Sequence, residues 1–289
     1  MKHIIFMIAA PMFLLGCSNA IAENQVKPTD PMVGAATMPN TPAPEMEDGI
    51  ETIIVGKHSL TVGTDYVEIS RIGAGMPDRT DETIRIENAS VRLYEESGTD
   101  ITGEGNPDVI VFSSTGGAHC CYTFHVYDMG EYPRKVMEAF TKDCGGEFKD
   151  LEGDGVFEFI TCDASFNYFT RQCCYACSPF PRVVYRYTPE SGYRVATMDY
   201  AYLFQGDIAA AREKLRVWRE GSEGFAATHA YRDLAQCELL PLALDYIYSG
   251  QPQMAWEMID EYYRFSDVEE FKGKIRERLE RSELYGATE

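Results

Sequence analysis

From Thr52 to Met198 the apolar positions fall in short runs, many alternating with polar ones, and after Tyr200 they recur every three to four residues. The first rhythm is that of half-buried strands and the second that of helices with one apolar face. Runs rich in Val, Ile, Phe and Tyr, bounded by Gly and Pro, predict strands at Arg92–Tyr94, Val109–Phe112, Tyr122–Tyr127 and Lys135–Phe140. A second set follows at Phe148, Val156–Thr161, Val183–Tyr187 and Tyr193–Met198, and an upstream set at Thr52–Val62, Tyr66–Ile72 and Thr83–Ile86. The helical rhythm predicts four helices. One starts behind Asp207 as N-cap and runs from Ile208 to Trp218. The others cover Ala226–Tyr248, stopped by Gly250, then Met254–Tyr263 and Val268–Leu284.

Two of the strand sets repeat one another. The first contains Asp100-Ile-Thr-Gly-Glu-Gly-Asn-Pro-Asp108, an apolar run, then His119-Cys-Cys-Tyr122. The second contains Asp150-Leu-Glu-Gly-Asp-Gly-Val-Phe-Glu158, another apolar run, then Gln172-Cys-Cys-Tyr175. A self-match at a fixed period implies stacked, similar units.

Oxygen-bearing residues occupy positions one, three, five and nine of both loops: Asp100, Thr102, Glu104 and Asp108, then Asp150, Glu152, Asp154 and Glu158. Calcium takes six to eight hard oxygen ligands, and alternate residues of a tight loop can supply them. Glycines at positions four and six permit the positive φ angles that curl such a loop. The last carboxylate comes three residues after glycine rather than six, so this is not an EF-hand. The pattern resembles the loop of FG-GAP and VCBS repeats over about residues 91–198. That resemblance implies propeller-blade-like units, each with a calcium loop between two strands, and calcium as the cofactor. Thr102 lacks a charge, and Glu104 and Glu152 are longer than the usual Asp or Asn. The second loop, with four carboxylates, is the better calcium candidate. The alternative is a hydrogen-bonded turn that keeps the shape of an ion site without filling it.

The amino terminus changes the compartment. Lys2 and His3 precede an apolar stretch, Ile4–Leu15, too short to span a bilayer as a mature helix. It ends in Leu14-Leu-Gly-Cys17, which resembles a bacterial lipobox and implies a signal over residues 1–16, lipidation of Cys17 and anchoring in the cell envelope. Leu15 stands where a small residue is more usual. Ser18, rather than aspartate, implies the outer membrane. A plain secretory signal cut at Ala20 or Ala22 is the alternative. Residues 17–48, with five prolines among small and polar residues, then read as a disordered tether.

Export makes the cysteines candidates for disulfides. Cys17 aside, eight remain: Cys120, Cys121, Cys144, Cys162, Cys173, Cys174, Cys177 and Cys237. Cys144 and Cys162 flank the second loop, where two antiparallel strands bring them face to face. Closing that loop stabilises by roughly 3 kcal/mol on the chain-entropy model. The equivalent positions in the first unit are Tyr94 and Phe112, an aromatic pair. Cross-bridges between Cys120/Cys121 and Cys173/Cys174 would staple one unit to the next, and a Cys177–Cys237 bridge would tie the strands to the helices. A zinc site from His119, Cys120, Cys121, His125 and the 173–177 cysteines competes, but needs reduced thiols. Cys174-x-x-Cys177 as a redox motif lacks the βαβ context that gives it meaning.

The expected fold is α+β: a β module over residues 49–199, and an α-helical hairpin region over 200–289 that covers the open end of the β stack. Two or three units are too few to close an ordinary propeller. Apolar residues at 45% and aromatics at 12% supply its core. A formal charge of −20 excludes nucleic acid as a partner and repels anionic headgroups. His58, His119, His125 and His229 form no nucleophile or metal motif. The leading expectation is a lipid-anchored structural or binding module of the envelope, engaging a protein or ligand there. A periplasmic hydrolase with scattered residues and an adaptor docking through its helical tail are the alternatives.

Overall fold

Short alternating segments joined by glycine turns fold as hairpins, and twelve strands form three antiparallel sheets of four. The structure is a computed structural model that describes residues 50–72, 83–85, 90–117, 120–170, 174–221 and 229–285. The signal and tether, residues 1–48, with Cys17, lie outside these, as do His119 and Cys173. The described residues all fall within one unit, Met32–Glu289.

The first sheet holds β1 (Glu51–Val55), β2 (His58–Val62), β3 (Tyr66–Arg71) and β4 (Thr83–Arg85). The run Thr52–Val62, expected as one segment, splits at Gly56, whose φ of 57° allows a two-residue turn between Val55 and His58. The second sheet holds β5 (Ser90–Leu93), β6 (Asp108–Gly117), β7 (Cys120–Asp128) and β8 (Arg134–Lys142). The third holds β9 (Glu147–Lys149), β10 (Glu158–Cys162), β11 (Arg182–Thr188) and β12 (Gly192–Val195). Each is a meander in chain order. Among the described residues the sheets close into neither barrel nor propeller, and the α+β class is as expected.

Period-two alternation decides how the sheets pack. On β6, Val109 and Val111 turn to one side and join Leu60, Val67 and Ile69 of the first sheet in one apolar cluster. Ile110 and Phe112 turn to the other and join Phe124, Phe148, Phe159 and Tyr185 of the second and third sheets. Phe159 sits 4.8 Å, ring to ring, from both Phe124 and Phe148. The second sheet is thus buried on both faces.

The same cluster runs on into the helices: α1 (Gln205–Gly221), α2 (His229–Tyr248), α3 (Pro252–Tyr262) and α4 (Val268–Glu280). Asp207, expected as an N-cap, lies inside the first turn of α1, because a 3₁₀ segment (Thr197–Phe204) leads straight into the helix. Leu239, Leu240, Leu242, Ala243, Leu244 and Ile247 are all buried, so α2 is apolar nearly all round and forms the centre of the helical layer. Leu234, expected on its apolar stripe, is instead exposed.

One buried carboxylate ties the layers together. Asp163, just past β10, is 1% exposed and accepts hydrogen bonds from Ser165 N–H at 2.7 Å, Tyr248 O–H at 2.6 Å and the Ser282 hydroxyl. It joins the third sheet to α2 and to the chain beyond α4. Burial pushes the Tyr248 hydroxyl well above its ordinary pKa, so it remains a donor.

Candidate functional site

Each acidic loop joins the first and second strands of its sheet, the first between β5 and β6, the second between β9 and β10. Asp100 and Asp150 build the turns. Asp100 accepts from the Gly103 and Gly105 N–H groups, both at 2.8 Å. Asp150 accepts from Gly153 at 2.6 Å, Asp154 at 3.1 Å and Gly155 at 3.0 Å. These N–H groups hold the half-buried Asp150 carboxyl below its ordinary pKa, Gly155 most strongly. Gly153 and Gly155 have φ angles of 74° and 88°, and Gly103 and Gly105 of 70° and 86°, where an L side chain is strained.

The loops also touch. Phe157 N–H donates to the Ile101 carbonyl at 2.8 Å, and a Cβ on Gly103 would meet Val156 Cγ2 at 2.9 Å. Two copies of one pattern therefore lie side by side on one end of the sheets.

Their surroundings differ. In the first loop Glu104 is drawn sideways: Arg134 grips it at 2.9 and 3.0 Å, and the Tyr187 hydroxyl donates to it. Tyr187 lowers the Glu104 pKa most, while burial pushes Tyr187 itself up to about 12. Arg134 also reaches Asp128 at 3.4 Å. Thr102 is buried. Asp108, fully buried, accepts from Ile101 and Thr102 N–H through Oδ2, whereas Oδ1 has no hydrogen-bond partner among the described residues. Burial raises its pKa to about 6. In the second loop the corresponding Glu158 is satisfied on both oxygens, by Leu151 N–H and Tyr200 O–H, each at 2.9 Å. Glu152 and Asp154 stand exposed, with one Asp154 oxygen accepting from Val156 N–H at 2.9 Å.

Among the described residues no group of three or more His, Cys, Asp or Glu side chains is gathered to hold a metal ion. The second loop offers calcium the right donor type and access, with carboxylates at alternate positions and two of them open to solvent, although in this structure its side chains are not gathered around one point. The first does not fit, because Thr102 is buried and Glu104 is already paired.

The sulfur chemistry is partly as expected. Cys144 and Cys162 form a disulfide with Cα atoms 5.5 Å apart. Its counterpart in the second sheet is not a Tyr94–Phe112 contact. Phe112 faces Arg92 across the strand pair, and that guanidinium lies 4.7 Å from the ring centre. Tyr94 meets Phe124 and Phe148 instead. Cys121 and Cys237 are each disulfide-bonded. Cys174 and Cys177 are thiols, so the expected Cys177–Cys237 bridge is not made, and Cys174 does not join the cross-bridges. Their Sγ atoms lie 2.9 Å apart across a 3₁₀ turn (Tyr175–Cys177), close enough to pair with each other instead. A disulfide-bonded Cys121 cannot serve as a zinc thiolate, which removes one ligand from the competing zinc site.

A cavity of about 340 Å³ opens between the third sheet and α1 and α2, lined by Arg182, Asp207, Lys214, Pro241, Leu244 and Asp245 among others. Burial pushes Asp245 up to about 7, with Asp207 adding to the shift and Arg182 opposing it. This site was not read from the sequence, and neither were Arg134, Tyr187 and Tyr200. Each meets its loop partner across 30 to 83 residues, with no local spacing to mark the contact.

No family model matches the chain, and neither a curated protein nor a solved structure matches it. No helix among the described residues is long and apolar enough to cross a membrane.

Proposed function

We propose that the chain is a lipid-anchored module of the bacterial envelope that binds or scaffolds a partner there, with the second acidic loop as its calcium site. The observation that carries this is the inequality of the paired loops. The first spends its carboxylates on Arg134, Tyr187 and backbone N–H groups, whereas the second leaves Glu152 and Asp154 exposed beside Asp150. Asp150, Glu152 and Asp154 would hold the ion, and Glu158, whose two oxygens are taken by Leu151 N–H and Tyr200 O–H, would join them only by giving up one of these bonds. Bound there, it neutralises carboxylates at the point where two sheets meet, in a chain of formal charge −20.

The resemblance to FG-GAP and VCBS repeats and to the lipobox supports the same reading, with Cys17 as the lipid attachment and the outer membrane as its place. Native mass measurement of the exported protein tests both parts. It should carry acyl chains on Cys17 and one calcium that a chelator removes. At calcium a hundredfold above Kd, melting should report about 2.7 kcal/mol of added stability. A chain that leaves the envelope unacylated, or melts alike with and without chelator, contradicts the proposal.

A second reading rests on the cavity. Its largely apolar wall, with Arg182, Lys214, Asp207 and Asp245 among its polar groups, suits a small ligand.

A further inference from the structure

We propose that Cys174 and Cys177 are an exchangeable dithiol that reduces a disulfide on another polypeptide of the envelope, apart from the calcium site. Three observations lead there. The Sγ atoms lie 2.9 Å apart, and a disulfide needs about 2.05 Å, so closure takes less than about 1 Å of movement. Cys174 is exposed and Cys177 half-buried, an arrangement that offers one sulfur to a partner and keeps the second behind it. The third is contrast. Cys144 and Cys162, bridged and at 2% and 7% exposure, are walled off with Ala164 and Phe180, where a bond is structural and out of reach.

The Cys177 S–H and the Cys177 and Ala176 N–H groups lower the Cys174 pKa, which favours the attacking thiolate. The ring of Tyr175 lies 6.0 Å from that of Tyr168 and 5.5 Å from that of Phe180, and Tyr168 is 57% exposed. These rings give an incoming chain an apolar surface next to the sulfur.

The exchange balances as follows. The Cys174 thiolate attacks one sulfur of the partner's disulfide; that S–S bond breaks, a mixed disulfide forms, and the departing thiolate takes up the proton Cys174 gave away. Cys177 then loses its proton and attacks Cys174 Sγ, and the second partner sulfur leaves as a thiol. Two electrons pass from the dithiol to the partner, which ends with two thiols while Cys174 and Cys177 end bonded.

Cystamine, a cationic disulfide suited to so acidic a protein, is the probe. The full chain is reduced under native conditions with dithiothreitol, freed of it, and exposed to cystamine, with alkylation and peptide mapping at intervals. The expected result is a Cys174–Cys177 bond and release of both cysteamine thiols, with Cys144–Cys162 intact throughout. Cys177→Ser should stop at a mixed disulfide on Cys174 and release one thiol. Cys174→Ser should slow release at least about tenfold, because the half-buried sulfur remains. Equal rates in the two variants would overturn the proposal. So would a Cys174–Cys177 bond that native dithiothreitol reduces no faster than Cys144–Cys162, since that bond would be purely structural.

Discussion

Asp108 and Glu158 hold the same place in the two loops, position nine, and meet opposite fates. Both are buried and both accept loop N–H groups through one oxygen. The extra methylene of Glu158 carries its second oxygen to the Tyr200 hydroxyl, at the entrance to the helices. The shorter Asp108 reaches no such donor. A repeated pattern thus fixes the turn, while one side-chain length decides whether the carboxylate supports the fold or burdens it. Position five differs in the same way: Glu104 is bound sideways by Arg134, whereas Asp154 stays in solvent.

Removing the well-satisfied carboxylate should do most damage. Glu158→Ala leaves Leu151 N–H and the Tyr200 hydroxyl without their charged acceptor, a loss of about 3–5 kcal/mol in urea unfolding. A loss under about 1 kcal/mol would erase the contrast with Asp108.

Asp108 sharpens it through pH. Its folded pKa of about 6 lies above the ordinary 3.8, so between those values the native state keeps a proton that the unfolded chain has lost. Stability from this group therefore falls as pH rises through that window, by roughly 3 kcal/mol in all. Asp108→Asn keeps an acceptor for Ile101 and Thr102 and carries no charge. Its stability advantage over the parent chain should grow from pH 4 to pH 7, measured as the difference in urea midpoints. An advantage that stays flat or shrinks would contradict the burial argument.

Arg134 should matter least, because it is 44% exposed and solvent screens its pair with Glu104. Arg134→Ala should cost no more than about 1 kcal/mol and free Glu104 to move. Should calcium stoichiometry then rise from one to two, the pairing with Arg134 is what keeps the first loop closed.

Much of this architecture was legible because it is local. Alternation placed the strands of all three sheets, and the duplicated glycines and carboxylates marked both turns. The Cys144–Cys162 bridge was legible because the two cysteines flank one loop, although Cys144 lies just ahead of β9 rather than within a strand. What escaped was set by distance along the chain. Arg134 and Tyr187 reach Glu104 only once the second and third sheets lie together. The cavity beside Asp245 exists only between a sheet and two helices. Cysteine pairing failed at Cys177 for a related reason. The tight turn at Tyr175 holds Cys177 against Cys174, and arithmetic on cysteine number cannot see a turn.

Calorimetric titration with calcium at neutral pH tests the central contrast most directly, using the parent chain, Glu104→Gln and Asp154→Asn. The account predicts one site in the parent, the same site in Glu104→Gln and none in Asp154→Asn. Two equal sites, or a site lost with Glu104 and kept without the Asp154 charge, would contradict it.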